Sequence, residues 1–450
     1  MRALIIHLNI LIINVKWVST LNRCMECDIL VIGAGVLGLS SAYYMKKRDS
    51  SKKIIVVDRY GGPGQGNSAK SEGGFRNVFT SETNYYLADS SIDAFKHLEE
   101  DLGYDVKLDF IGYLWLFSES QYKSIKSAVD AIRSRGTGVR VLDREELEKQ
   151  VPCLVSEFGD DEEAELLGVE DVAYGVLGDK CGGLDADALV RAYEQEFIKL
   201  GGEIMYGTEA TDLLLKPVEE LGLPGEPFVW QEKMITGAET TRGVINAGKT
   251  VVAAGVWSHK LLDPIGVESF QRPKKRQIFA FKDPKLERFL HVEGLNSYGV
   301  MPLTILPKAG ILFRPELSEG SIWLACADNV GRRFELEDDP QPEEDYYTGD
   351  IYYVLAKYFP CFEDVRPMNM WAGQYAINSL DETPVVYGLN GLYYIGAASG
   401  SGIMKADSLG RILDALVAGE EEAELYGGRK FRVADLGVKH RHVEHEEFVI

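Results

Sequence analysis

Four consecutive apolar residues, Ile29 to Ile32, run straight into a glycine turn. A strand buried on both faces gives such an unbroken run, whereas a half-exposed strand alternates. Val36 to Lys47 then spaces its apolar residues as a helix does, and Ile54 to Val57 is a second unbroken run. Strand, helix and strand in that order predict a βαβ unit. Thr83 to Gly103 reads as helix, "GYLWLFSES" as a strand entering a turn, and Gln121 to Gln150 as helical up to Pro152. "SEFGDDEEAELLGVED" reads as a solvated acidic loop.

Further on, "GLDADALVRAYEQEFIKLGGEIMYGTEATDLLL" predicts helix, glycine turn and strand, and "KTVVAAGVWSHKLLD" strand, glycine turn and helix. Between Arg272 and Met370 the pattern changes to short alternating runs such as "QIFAF", "GILFRPE" and "SIWLACAD", which predict an antiparallel sheet. "GLYYIGAASGSGIMKADSLGRILDALVAG" returns to α/β character. The fold class expected is therefore α/β combined with α+β. One domain is threaded through 25–90, 178–262 and 366–430, and a substrate-side domain is built from 91–177 and 263–365. Residues 1–24 form an apolar extension and 431–450 a charged tail.

Composition narrows the function. At 450 residues, 45% hydrophobic and 26% charged, the chain can bury a large core. A formal charge of −22 argues against a nucleic-acid partner, because phosphate binding needs a basic face. The six cysteines are scattered and fit a reducing cytoplasm. Cys24 and Cys27 form a lone CxxC without a second pair, so no metal site is expected. The opening "MRALIIHLNILIINVKWVST" is interrupted by His7, Asn9, Asn14 and Lys16, too polar for a spanning helix. A cytoplasmic protein is expected, with peripheral membrane contact left open. Met25, directly before the first strand, is a candidate natural start.

Gly33, Gly35 and Gly38 fit G-x-G-x-x-G between strand and helix, with Ala34, Val36 and Leu37 completing the turn. The first glycine allows the tight turn, the second admits a pyrophosphate close to the backbone, and the third lets helix and strand pack. Helix N–H groups then face the phosphates. Asp58, twenty residues after Gly38, ends the second strand, where a carboxylate accepts hydrogen bonds from a ribose diol. Two more glycine-rich loops, "GPGQGNSAKSEGGFR" and "GAASGSGIMK", suggest a long ligand gripped along its length. That favours a resident flavin dinucleotide over a nicotinamide passing through as substrate. A helix starting near Gly402 would aim its positive end at the flavin pyrimidine edge.

"DILVIGAGVLGLSSAYYM", "VVDR", "GGFR", "VVAAGVWS" and "GLYYIGAASGSGIMKADSLGRIL" together resemble the D-amino-acid-oxidase-like flavoproteins, among them glycine oxidase, monomeric sarcosine oxidase and the dimethylglycine dehydrogenases. "NSAKSEGGFRN" and "SGSGIMKADSLGR" look most like dye-linked L-proline dehydrogenases. The resemblance runs from about Cys27 to Gly419. It implies a glutathione-reductase-like FAD domain and a substrate domain with a large antiparallel sheet. Gly33, Gly35, Gly38, Asp58 and Arg59 would hold the ADP half, with Ala210 at adenine and Ala254 and Gly255 over the ADP moiety. Ser71, Gly73, Gly74 and Arg76 would lie along the pyrophosphate and ring system, and Gly402, Ile403, Met404 and Lys405 at the flavin carbonyl edge. Where the sarcosine oxidases attach flavin to a cysteine, counting back from Asp381 and Glu382 finds Gln374, so noncovalent FAD is expected. Their carboxylate-holding lysine and arginine align with Met404, beside Lys405, and with Phe79.

The expected reaction passes a hydride equivalent from the carbon beside an amine nitrogen to flavin N5 and yields an imine. It requires no dedicated acid or base, and no Ser-His-Asp set is evident; His259 and His291 read as structural or surface residues. Arg314, Lys405, Tyr298, Met404 and Tyr375 are the candidates for holding substrate, with Trp371 and Tyr375 walling the pocket. The expectation is an amino-acid dehydrogenase with L-proline as first substrate and a dye, quinone or redox protein as acceptor. The alternatives are a sarcosine- or glycine-type oxidase using oxygen and a flavin-holding assembly factor without turnover.

Overall fold

A computed structural model describes residues 24–308, 310–328 and 330–448, so the expectations for residues 1–23 lie outside it. The first unbroken apolar run is the end of a strand, Met25–Ile32, that occupies the middle of a sheet. It pairs in parallel with Ile54–Val57 on one side and Gly243–Val252 on the other. Glu203–Met205 and Leu392–Gly396 extend the parallel set outward. Leu30 and Val31 are fully buried because helices cover one face and a strand layer the other. Burying each such side chain contributes about 1.5–3 kcal/mol.

The helices Val36–Arg48, Ala186–Lys199 and Ala406–Ala418 lie on one face of this sheet. Asp407, buried at their junction, accepts from the Tyr44 and Tyr193 hydroxyls and pairs with Arg411 at 2.7 Å. A buried carboxylate is tolerated only with such a set of donors. The helix Glu82–Glu100, capped by Ser81, packs beside Ala406–Ala418. Leu87, Ile92, Phe95 and Leu98 belong to this core, so the first domain runs past residue 90.

A second sheet of eight strands has the order 369–378, 271–281, 321–326, 311–316, 303–305, 113–117, 174–178 and 139–143. All its pairings are antiparallel except Leu303–Ile305 with Tyr113–Phe117. Asn369–Asn378 therefore belongs to the substrate-side sheet and not to the first domain, because its ten-residue register with Gln271–Phe281 claims it. Phe279, Phe281, Phe289, Phe313 and Phe362 form the core beneath this sheet.

Local chemistry explains the other departures from the sequence reading. Residues 121–150 are helix, strand and helix: Gly136 at φ +86° ends Glu119–Ser134, and Val139–Asp143 joins the sheet edge. A capping box on Asp143 then starts Arg144–Gln150. The acidic loop contains a short helix, Glu162–Leu167, because Asp161 caps it and its acids sit in the first turn. Residues 346–358 are helical within the strand-rich stretch. The charged tail is anchored: Lys430–Arg432 pairs with Glu422–Glu424, and Phe448 is buried against Trp115 with ring centroids 4.8 Å apart. No described helix is long and apolar enough to cross a membrane.

Candidate active site

The glycine turn after Met25–Ile32 opens one end of a long cavity of about 510 Å³. Gly33 has φ +112°, and a Cβ there would lie 2.4 Å from the Ala253 carbonyl oxygen. A Cβ on Gly38 would lie 1.9 Å from the Gly33 oxygen, so this glycine sets the approach of helix to strand and does not face the cavity. Gly33, Gly35, Val36 and Leu37 line it. Ala34 lies behind the turn, where its N–H donates to Asp58 Oδ2 at 2.7 Å. Asp58 Oδ1 accepts from Tyr60 N–H at 2.8 Å. Burial pushes this carboxyl up while those two N–H groups pull it down. Each carboxylate oxygen retains acceptor capacity for a sugar hydroxyl.

Beyond Asp58, the Arg59 guanidinium lies 4.3 Å from the Trp257 ring and 4.7 Å from Tyr60. Ala210, Ala254 and Gly255 line the same end. These rings and that planar cation form a stacking platform for a flat heterocycle. In the middle the cavity is walled by the loop 66–72; Ser68 Oγ accepts from Val36 N–H at 3.1 Å and Ser71 Oγ from Gly73 N–H at 3.1 Å. Gly402 and Ile403 line the far part, in a turn preceding the helix, which begins at Ala406 and not near Gly402.

Several sequence candidates sit behind this wall. Gly73 and Gly74 pack against Leu184 and the Tyr113 hydroxyl, and Gly74–Arg76 pairs with Cys181–Gly183. Arg76 is buried, with its Nη1 donating to the carbonyls of Val78 and Phe448. Lys405 is buried away from the cavity, donating to Asn84 Oδ1 at 2.7 Å and Ser401 Oγ at 2.9 Å. Burial, with Arg76 nearby, brings its pKa down to about 7. The Met404 side chain lies in the first core, as does Phe79. Arg314 is no free anchor: Nε donates to the Glu72 carbonyl at 3.0 Å, Nη1 to Pro315 O and Glu316 Oε2, and Nη2 to Glu72 again. Tyr298 is 41% exposed on an outer loop. Trp371 meets Trp323 edge-on at 4.9 Å, outside the cavity. His259 bonds the Val256 carbonyl and His291 is exposed, and neither lines the cavity.

Tyr375 and Gln374 do line it. The Tyr375 ring lies against Gly400, where a Cβ would come within 2.3 Å of it. Gln374 Nε2 donates to the Glu335 carbonyl at 2.7 Å. Two charged residues absent from the sequence candidates complete this end. Arg276 Nη1 pairs with Asp328 at 2.9 Å, its guanidinium lies 5.2 Å from the Tyr375 ring, and its buried Nε has no hydrogen-bond partner. Glu72, held through its carbonyl by Arg314, lines the cavity; burial pushes its carboxyl up and Arg314 opposes. Burial and Glu72 raise the Tyr375 hydroxyl to about 12, with Arg276 opposing. Ile278, Leu312 and Ala325 add an apolar wall. Strand alternation places Arg276 and Ile278 opposite the core residues Phe279 and Phe281.

A glycine turn, a ribose-ready acid, a stacking platform and a second sheet roofing the far end define a two-domain dinucleotide-binding oxidoreductase. The chain belongs to the FAD dependent oxidoreductase family, whose model matches residues 28–416. It is 24% identical over 416 residues to FAD-dependent oxidoreductase domain-containing protein 1 of Xenopus laevis, covering 87% of this chain and 79% of that one. Its fold is similar to L-proline dehydrogenase from P. horikoshii (TM-score 0.70, 21% identity, 88% and 95% of the two chains). It is also similar to glycine oxidase from Geobacillus kaustophilus (TM-score 0.66, 19% identity, 88% and 96%). The residues present fit FAD, since Gly33 admits no Cβ and the cavity runs unbroken from Ala210 to Tyr375. Among the described residues, no cluster of His, Cys, Asp and Glu could hold a metal.

Proposed function

We propose that this FAD-dependent oxidoreductase is a dehydrogenase of small secondary amino acids, L-proline first, with a quinone or redox protein as acceptor. The observation that carries the reading is the pairing of Arg276 and Glu72 around Tyr375 at one end of the cavity. A bound flavin supplies the two-electron acceptor for the carbon–nitrogen oxidation. Arg276 turns its unpartnered Nε to the substrate carboxylate. Glu72 receives the amine nitrogen and takes its proton, which leaves the neutral amine that oxidation requires. Ile278, Leu312 and Ala325 enclose an aliphatic ring and exclude water. The fold likeness to an L-proline dehydrogenase supports that substrate.

Gly33, Gly35, Asp58 and Arg59 hold the ADP half, and Ser71 and the backbone of Gly402 and Ile403 the flavin half. Attachment is noncovalent, because Gln374 offers an amide where a nucleophilic sulfur would be needed; acid precipitation should leave the yellow colour in the supernatant. The test is an anaerobic screen of amines and amino acids followed by flavin absorbance. Bleaching by L-proline with slow reoxidation in air supports the reading. Peroxide formation under air would point to an oxidase, and no bleaching by any amine to a flavin-holding protein without turnover.

A further inference from the structure

Cys153 follows the helix Arg144–Gln150, and Cys361 lies in the tight turn Pro360–Phe362. Although 208 residues separate them, Cys361 N–H donates to Cys153 Sγ at 2.9 Å. Beside this contact, Val155 N–H donates to the Tyr358 carbonyl at 2.9 Å, which fastens the two segments together. Cys153 has φ +67°, costly for a residue with a Cβ, so the surrounding turns over-determine where its sulfur sits. It is partly exposed, whereas Cys361 is buried.

The two thiols differ in character. The neighbouring Cys361, whose backbone N–H donates to the sulfur, and the Arg288 guanidinium hold the Cys153 thiol down against the effect of burial. Cys361, donor to that sulfur and buried, is pushed far up. Burial raises Cys27 to about 11 and Cys181 to about 12. A partly exposed thiolate and a second cysteine whose backbone touches its sulfur are the two parts of a reversible oxidation site.

We propose that Cys153 and Cys361 are an oxidisable thiol pair that hydrogen peroxide closes to a disulfide, a modification site separate from the cofactor cavity. The Cys153 thiolate attacks one peroxide oxygen; the O–O bond breaks, and the departing oxygen takes a proton and leaves as water. The resulting sulfenic acid is attacked by the Cys361 sulfur, which gives up its proton, and the hydroxyl leaves as a second water. Two thiols lose two electrons and one peroxide gains them. The pair lies by the Phe289, Phe313, Phe359 and Phe362 core, on the face of the sheet opposite Leu312, which lines the cavity. Oxidation therefore registers in stability and not in the electron transfer.

The test treats the full-length holoprotein with a small excess of hydrogen peroxide, traps remaining thiols with N-ethylmaleimide and maps peptides without reduction. A Cys153–Cys361 linked peptide is expected, formed ahead of modification at Cys24, reversed by dithiothreitol and accompanied by a higher Tm. In Cys361→Ser a dimedone adduct should accumulate on Cys153, and Cys153→Ser should give no linked peptide. Oxidation of Cys24 first, overoxidation of Cys153 without the cross-link, or no adduct in Cys361→Ser each overturns the proposal.

Discussion

Replacing Arg276 with Gln removes the guanidinium from the apolar end of the cavity and leaves Glu72 and Tyr375 in place. The change also costs stability: the Arg276–Asp328 pair is largely buried, with side-chain exposures of 12% and 20%, and Asp328 keeps only Arg332, at 3.8 Å. Removing one partner of a buried pair costs about 3–5 kcal/mol, so the variant is assayed well below its Tm. The loss to binding is read separately, because a hydrogen bond to a charged partner contributes about 1.5–3 kcal/mol, or about 12- to 160-fold in Kd. Anaerobic stopped-flow reduction of the flavin across a range of L-proline separates the apparent Kd from the limiting rate. The variant should raise Kd by about one to two orders of magnitude and change the limiting rate far less. Pyrrolidine, which has the ring nitrogen and no carboxylate, should bind parent and variant alike. L-proline bound within twofold of the parent, or a pyrrolidine affinity that falls in step with that of proline, would refute the anchor. Arg314→Gln is the companion change: its donors serve the Glu72 carbonyl, so it too should lower Tm.

Gly38→Ala places a methyl 1.9 Å from the Gly33 carbonyl oxygen, so the first helix must move off its strand; the protein should purify without flavin or fail to fold, read by the ratio of visible to ultraviolet absorbance. Phe448→Ala empties a buried site beside Trp115 and should cost about 3–5 kcal/mol in a urea titration, where a freely solvated tail would show no change. Lys405 has a folded pKa of about 7, below its unfolded value, so the unfolded chain binds the extra proton between pH 7 and the usual lysine range. The destabilising contribution of its buried charge is full below pH 7 and is relieved as pH rises, with a slope of at most about 1.4 kcal/mol per pH unit. Lys405→Met should lack that slope, so the difference between parent and variant urea midpoints should change between pH 6.5 and 9; parallel curves would contradict the depressed pKa.

Local pattern carried the first domain well, because an unbroken apolar run, a glycine turn and an amphipathic helix are each set by near neighbours. Asn369–Asn378 escaped that logic: nothing within it says that Gln271–Phe281 will be its partner. The ADP end was legible for the same local reason, since Gly33 and Asp58 are fixed by one βαβ unit. At the other end the sequence offered several cations and no way to rank them. Arg314 and Leu312 share a face of one strand, yet the loop ending at Glu72 brings a carbonyl that takes up the arginine's donors. Arg276 keeps a donor unpartnered because no carbonyl reaches its Nε. Such a distinction depends on contacts between residues far apart in the chain. Period-two counting back from Phe279 and Phe281 was the available signal for Arg276 and Ile278. The tail was equally opaque: its charge pointed to no role, while Glu444 and Glu446 cap the backbone around Thr80 and Thr83.

The proposed function requires a flavin dinucleotide lying lengthwise, its adenine end by Arg59 and Trp257 and its reactive end by Arg276 and Glu72. Titrating apoprotein with FAD, FMN and ADP by calorimetry checks that placement. One FAD per chain should bind, far tighter than FMN, with ADP retaining part of the affinity through the Gly33–Asp58 end. FMN binding as tightly as FAD, or apoprotein that takes up neither, would contradict it.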